Sequence, residues 1–487
     1  MSGPPAAAAP AASAAPPAAA PKVAIDLRAL VPLPTGIGVY TRSLALALAR
    51  RGGMRYLGLA HRPPRGAGEL RAAGVEIEPR DDSGPAGAGS LEAPGAAGQS
   101  GAGRLEPSGS TGPAGAGRLD PSGSTGPREP ASPPPGLLAQ LLRPGVVWQQ
   151  LLLPRRLRRG DVDLLWSPLL TLPLDCPVPA VVTVHDLTVL LMPEAHRAKV
   201  RLSLLPFLAA SLRRARRLVT LSRATADDVA FHYPGSAGKI RVVYPGVDDE
   251  FRPATEDEIA ATRAELGAPR GYLLYAGTLE PRKNVGALLD AWESLAADDP
   301  GFPPLVLAGP YGWGSRALAG RIARLAARPS GSAATGPSAG LAVDPSAGLA
   351  AAAPPFPGGR LLALGRLDRA HLVRVFQAAS LFVYPSLYEG FGLPPAEALA
   401  CGVPAVVLDS SSLPEVVGDA GLLVTPGDTA ALAAALARLT ADPGLAAELA
   451  ARAAAQADRF CWQRAAAEME EVFREALAQE EGPDAGS

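Results

Sequence analysis

Glu389 and Glu397 stand eight residues apart in the segment Glu389-Gly-Phe-Gly-Leu-Pro-Pro-Ala-Glu397. The spacing places one carboxylate in a glycine-rich loop and the second within the first turn of an apolar helix. Pro394 or Pro395 suits the first helical position, which needs no backbone N–H. Gly390 and Gly392 let the backbone approach a ligand closely, and the N–H groups of the helix start suit a phosphate. Carboxylates on both sides of such a cradle can bind hydroxyls. The segment therefore reads as a clamp for a sugar nucleotide.

Arg282-Lys283-Asn284 follows an apolar strand and the loop Gly277-Thr-Leu-Glu-Pro281. Two cations at a strand end suit a diphosphate: Arg forks two oxygens and Lys supplies a point charge. Both would stabilise charge developing on a departing diphosphate. A solvated helix start is the competing reading, and the Glu389–Glu397 segment downstream weighs against it. Thr35-Gly36-Ile37-Gly38-Val39-Tyr40 joins the first strand to the first helix. It matches a dinucleotide fingerprint loosely, without the third glycine. Gly36 and Gly38 form either a tight turn or a source of backbone N–H groups facing phosphate. His185-Asp186 ends the mostly β-branched run Ala180 to Val184. Asp186 would orient the imidazole or cap a following turn. His185 would touch a substrate hydroxyl, carry a proton, or be a buried structural histidine.

Arg155-Arg-Leu-Arg-Arg159 and Arg213-Arg-Ala-Arg-Arg217 are basic runs. They fit solvated helix faces. Anionic lipids would also attract them, which adds peripheral membrane contact as a second expectation. Asp227-Asp228 falls inside a helical pattern and is expected at the surface. There is no Asp-x-Asp clip, His-Glu-x-x-His, Gly-x-Ser-x-Gly or Walker segment, so nothing in the sequence requires a metal or further cofactor. Cys176, Cys401 and Cys461 are far apart and odd in number. They give no disulfide framework and no metal spacing, in keeping with a reducing cytoplasm. A net charge of −1 and a pI near 6.6 provide no global field for nucleic acid. Met1 to Pro21 lacks the basic start and Leu-rich core of a signal peptide, and no apolar run reaches membrane-spanning length. The expected location is cytoplasmic, with any membrane contact on the inner face.

These side chains need a frame. The 487 residues exceed one ordinary domain. Apolar residues make up 47 % and aromatics 5 %, so Leu, Val and Ala must fill the cores. Gly and Pro cluster in three tracts expected to be disordered: 1–21, about 80–135 and about 329–359. In the second tract 101–113 recurs almost unchanged at 115–127, and such units bury too little to offset their ordering entropy. Elsewhere strands and helices alternate. Strands are expected at 22–26, 163–166, 180–184, 218–221 and 241–243, then at 272–276, 305–308, 360–364, 381–384, 405–408 and 422–424. Helices are expected at 39–50, 202–216 and 224–233, then at 286–296, 369–378, 394–400, 413–417 and 429–439. The alternation argues for α/β layers with parallel sheets. Two such series, split near 250–268, argue for two doubly wound domains with ligands at strand C-terminal ends.

Four segments, in order, resemble the retaining GT-B-fold glycosyltransferases of family 4, or glycosyltransferase group 1, and their mannosyltransferase-like branch. They are Thr35-Gly-Ile-Gly-Val-Tyr40, Thr183-Val-His-Asp-Leu187, Gly277-Thr-Leu-Glu-Pro-Arg-Lys-Asn284 and Tyr388-Glu-Gly-Phe-Gly-Leu-Pro-Pro-Ala-Glu-Ala398. Phe460-x-Trp462 resembles the start of the family's last helix. The resemblance implies an acceptor-side Rossmann-like domain over 22–255 and a donor-binding one over 268–455. The two would face a cleft, with a helix over 459–478 crossing back to the first domain. It implies that Arg282 and Lys283 hold the donor diphosphate, Glu389 the sugar hydroxyls and Glu397 the ribose. Backbone N–H groups of Gly392 and Leu393 would face phosphate or sugar. Gly36 and Gly38 would approach from the other domain, with His185 near donor sugar and acceptor. Many relatives carry Arg where this chain has Thr278, so Arg282 would supply that charge. The implied reaction moves a hexose from a nucleoside diphosphate to a glycan, lipid-linked or small-molecule acceptor, with retention and no cofactor. GDP-mannose is the favoured donor and a UDP-sugar its competitor. A non-catalytic sugar-nucleotide-binding relative, and an epimerase or phosphorylase of the same fold, are the alternatives.

Overall fold

Among the described residues, thirteen short strands build two separate parallel sheets. The computed structural model describes residues 20–31, 36–78, 144–196, 198–326 and 360–478. The Gly/Pro-rich tracts expected to be disordered lie outside these residues, save positions 20 and 21, and so does Thr35. In the first sheet the strands are β1 (Lys22–Asp26), β2 (Arg55–Leu59), β3 (Val75–Ile77), β4 (Leu164–Ser167), β5 (Ala180–Val184), β6 (Arg217–Thr220) and β7 (Ile240–Val242). The second contains β8 (Leu273–Ala276), β9 (Leu305–Ala308), β10 (Leu361–Gly365), β11 (Leu381–Tyr384), β12 (Ala405–Leu408) and β13 (Gly421–Val424). The orders are β3-β2-β1-β4-β5-β6-β7 and β10-β9-β8-β11-β12-β13. Every pairing is parallel, as in Tyr275 opposite Leu307 and Val383 opposite Val406.

The central strands are continuous apolar runs because helices cover both faces of a parallel sheet. Ala-Val-Val-Thr-Val in β5 and Leu-Phe-Val-Tyr in β11 are buried at every position. Both sheets reverse direction at their first strand: β1 has β2 on one side and β4 on the other, and β8 has β9 and β11. Each therefore has a switch point where loops at strand C-terminal ends open a crevice. This is the doubly wound, two-domain GT-B α/β arrangement.

The last helix, Trp462–Ala478, belongs to the second half of the chain but packs on the first sheet's helix Gly36–Arg51 and against β4, β5 and β6. Its Met469 and Phe473 are fully buried, and its Glu475 pairs with Arg217 at 2.7 Å and Arg241 at 2.9 Å. Val247 N–H donates to the Phe460 carbonyl at 3.0 Å, so the outgoing and returning chain segments lie side by side.

Several elements differ from the sequence expectation. β2, β3 and the helices Glu256–Glu265 and Pro443–Ala457 were not expected. Glu256–Glu265 fills the expected split with a polar helix started by a Thr255–Glu258 capping box, a local signal independent of apolar periodicity. The first long helix begins at Gly36, not Val39. Gly36 and Gly38 thus occupy its first turn instead of a preceding loop, as the unpaired N–H groups of a helix start tolerate. The helix Ala198–Arg214 continues through Pro206.

Candidate functional site

The two loops flanking the second sheet's switch point carry the cations and the first glutamate. After β8 the chain runs through Gly277 to a short 3-10 turn, Pro281–Lys283, which Asn284 closes at φ 52 before the helix Val285–Asp298. After β11 it runs from Pro385 to Glu389. The strands are neighbours, so residues more than a hundred positions apart meet. Lys283 Nζ donates to Glu389 Oε1 and, at 2.8 Å, to the Tyr384 hydroxyl. Arg282 donates to Glu389 Oε2 at 3.2 Å, to Glu280 Oε1 at 3.0 Å and to the Tyr388 carbonyl. Ser386 Oγ adds a 2.6 Å bond to Glu389 Oε1, and the Glu389 N–H donates to Ser411 Oγ at 2.8 Å.

Lys283 is 7 % and Glu389 8 % exposed. Burial by itself would raise the Glu389 carboxyl, but Lys283 and Arg282 outweigh it and hold the group at about 2. Burial pulls the Lys283 ammonium below its ordinary value while Glu389 pulls it back. With one carboxylate facing two cations, Glu389 is ionised at neutral pH. The arrangement offers a diphosphate two cations and a sugar one charged acceptor, in a largely buried setting where such bonds are strong.

The helix Leu393–Ala400 starts beside this cluster. Gly392 caps it at φ 102, a left-handed conformation that favours glycine. Leu393, Pro394 and Pro395 take its first three positions, which need no intrahelical N–H bond. Glu397 is therefore one turn in, not within the first turn as expected. It is buried and separate from the Lys283 cluster, with Arg369 donating to its Oε1 at 3.4 Å. Burial and the nearby Asp248 raise its carboxyl to about 7 against the pull of Arg369.

Gly390 lies against the first domain: a Cβ there would stand 1.7 Å from the His185 carbonyl oxygen, so the glycine lets the two domains touch. Thr225 Oγ1 donates to the Gly390 carbonyl at 3.2 Å. His185 is thereby set against the loop that bears Glu389. Its Nε2–H donates to the Pro168 carbonyl at 2.8 Å, which leaves Nδ1 as the acceptor. Burial lowers its pKa, so the ring is neutral at pH 7. Tyr40 packs edge-on against the ring at 5.0 Å between centroids, one turn beyond Gly36 and two residues beyond Gly38. The Asp186 carboxylate accepts from Thr188 N–H at 2.9 Å and from its hydroxyl, so it caps the next turn. Asp228, expected at the surface, accepts from the Tyr388 hydroxyl across the domains.

Sequence reading missed Ser386, Tyr384, Arg369 and Asp248. Tyr384, Arg369 and Asp248 act through contacts between distant segments, Ser386 acts within the Glu389 loop three residues before its partner, and nothing in the local pattern marks any of them. Among the described residues no group of three His, Cys, Asp or Glu side chains is placed to hold a metal ion.

The profile described as "Glycosyl transferases group 1" matches residues 357–458, and that described as "Glycosyltransferase Family 4" matches 110–251. O-antigen chain mannosyltransferase B of Escherichia coli is 33 % identical over 288 residues, 58 % of this chain and 67 % of that protein. The chain belongs to glycosyltransferase family 4. This family 4 glycosyltransferase is also 36 % identical to a D-inositol 3-phosphate glycosyltransferase of Streptomyces bingchenggensis over 54 % of its own length and 53 % of the relative's. The chain thus spans about half the length of that relative. Among solved structures, sucrose-phosphate synthase of Thermosynechococcus elongatus matches with a TM-score of 0.62 at 19 % identity, over 94 % of this chain and 99 % of that one. Anabaena HepE, solved in complex with UDP, matches with a TM-score of 0.59 at 18 % identity, over 93 % and 99 %. Both likenesses are to the fold.

Proposed function

We propose that this glycosyltransferase moves a hexose, mannose in first place, from a nucleoside-diphosphate sugar to an acceptor hydroxyl with the anomeric configuration retained. The observation that carries the reading is the convergence of Arg282, Lys283 and Glu389 at the second sheet's switch point. Arg282 and Lys283 take the diphosphate oxygens, a role that fits their shared carboxylate partner and their position after a strand end. The incoming diphosphate gives both cations new acceptors, which frees Glu389 for the hydroxyls of the donor sugar. Glu397 takes the ribose, and the N–H groups of Gly392 and Leu393 face phosphate or sugar. Gly36 and Gly38 approach from the first domain. Neutral His185 offers Nδ1 as an acceptor near the donor sugar and the attacking hydroxyl.

In the transfer, the bond from the anomeric carbon to the diphosphate oxygen breaks as the bond to the acceptor oxygen forms on the same face. The acceptor proton passes to the departing diphosphate, whose charge Arg282 and Lys283 stabilise. Both glutamates bind, and neither attacks. The chemistry needs no cofactor beyond the donor substrate.

GDP-mannose is favoured because the relatives include an O-antigen chain mannosyltransferase and a serotype-specific mannosyltransferase of Escherichia coli, the latter 28 % identical. A UDP-sugar is the second reading, supported by the UDP complex of the fold neighbour HepE. The acceptor is a glycan or lipid-linked glycan. A membrane contact would use exposed Arg155 with Leu151 and Leu152, since Arg156, Arg158 and Arg159 are engaged with Glu78, Asp161 and Asp175. No helix among the described residues is long and apolar enough to cross a membrane. The test is incubation with GDP-mannose and with UDP-sugars against an acceptor panel. Release of GDP with a hexosylated product supports the first reading, release of UDP the second, and neither release refutes both.

A further inference from the structure

Arg369 has no part in the reading above, yet it is the hub of a second charged network. It opens the helix Arg369–Gln377, directly after the cap Asp368. Its guanidinium donates to Glu397 Oε1 at 3.4 Å, to Glu250 Oε2 at 3.0 Å and to Asp248 Oδ2. It also lies over the Phe251 ring, 4.3 Å from the centroid. Asp248 accepts in turn from Trp462 Nε1 at 2.7 Å and from Ser43 Oγ at 3.2 Å. One cation thus joins the second glutamate of the Glu389–Glu397 segment to both passages of the chain between the domains.

The other ionisable groups near Glu397 are otherwise engaged. Cys401, one turn on, is kept as a neutral thiol by burial. Glu415 on the neighbouring helix Leu413–Val417 accepts from the Tyr244 hydroxyl at 2.9 Å and from the Arg223 N–H at 3.1 Å. Glu448 and Arg452 on the helix Pro443–Ala457 pair with each other, and Tyr384 at the end of β11 receives Lys283. Arg252, beyond Phe251, donates to the Pro253 carbonyl. Among the described residues, Arg369 is the cation hydrogen-bonded to Glu397.

We propose that Arg369 is a positioning residue that holds the Glu397 carboxylate as an acceptor turned toward the donor's ribose and anchors it, through Asp248, to the crossing between the domains. The inference rests on the assignment of Glu397 to the nucleotide. A carboxylate binds hydroxyls more strongly than a neutral carboxyl does, so whatever keeps Glu397 ionised sets donor affinity. Arg369 favours the ionised form and Asp248 opposes it. Their substitutions must therefore act in opposite directions.

The test is calorimetric titration of GDP and UDP into the full chain and into Arg369→Gln, Arg369→Lys and Asp248→Asn, from about pH 5 to about pH 9. Arg369→Gln is expected to weaken binding about tenfold near neutral pH and to move the midpoint of the pH dependence upward. Asp248→Asn is expected to move it downward, and Arg369→Lys to restore part of the loss. Unfolding followed against pH without nucleotide reads the same carboxyl and should show the same two opposite movements. Midpoints that stay put, or that move together in both variants while the unsubstituted chain binds, overturn the inference alone. Failure of the unsubstituted chain to bind either nucleotide overturns the assignment of Glu397 and the inference with it.

Discussion

Glu389 answers to a buried lysine and a partly buried arginine at once, and that decides how the site responds to substitution. Removing the carboxylate in Glu389→Ala leaves buried Lys283 without its counter-charge and partly buried Arg282 with Glu280 alone, a change that destabilises by about 3–5 kcal/mol. Glu389→Gln keeps an acceptor of the same size. It is expected to fold, with turnover lower by about a hundredfold or more, as compared by thermal melting and steady-state assay. The two glutamates also respond to pH in opposite senses. Glu389, held at about 2, lends stability above its ordinary value of 4.5 that is lost as pH falls toward 2. Glu397, raised to about 7, binds a proton more tightly folded than unfolded, so stability falls as pH rises from 4.5 through 7. Glu397→Gln should abolish that decline, with a gain over the unsubstituted chain on the order of 1–3 kcal/mol at pH 8 and little near pH 4. Denaturant melts at the two pH values check it. Arg282, Lys283 and Glu389 were legible in the sequence because each lies in a compact glycine- and proline-marked segment. Ser386 and Arg369 were not: a lone Ser three residues before Glu389 carries no signal of its own, and Arg369 gains its role only from partners that folding brings near.

The glycines separate positions that serve the fold from those with open space beside them. At Gly36 a Cβ meets nothing within 4 Å, and Ala is the better helix former by up to about 1 kcal/mol. Gly36→Ala should leave the melting temperature unchanged or slightly raised while lowering turnover, because in the proposed donor pose the added methyl would stand where the phosphate approaches. Gly390→Ala should lower both, since its Cβ would collide with the His185 carbonyl. A melting curve and a rate for each variant distinguish the cases. At this scale the central strands were readable as unbroken apolar runs. β3 was not, with only three residues, nor was Glu256–Glu265, whose largely polar face gives no apolar period. The helix start at Gly36 was hidden because glycine argues against helix everywhere except near its ends.

Across the molecule, two doubly wound sheets are joined by paired chain crossings and by polar contacts that run from one half to the other. Trp462 sits where the crossings meet, its indole donating to Asp248 and its backbone pressed against Gly246. Trp462→Ala is expected to destabilise by about 3–5 kcal/mol, read as a fall in denaturant midpoint. The repeated strand–helix alternation made two doubly wound domains legible from sequence. How their faces meet was not, because Tyr388–Asp228 and Tyr244–Glu415 pair residues more than 150 positions apart. The central claim is that Arg282, Lys283 and Glu389 form the donor site of a hexose transfer. Mass analysis of acceptors incubated with GDP-mannose or a UDP-sugar tests it most directly, with the unsubstituted chain beside Glu389→Gln. One added hexose is expected from the unsubstituted chain, and loss of that product in the variant. Undiminished transfer by Glu389→Gln would contradict the claim.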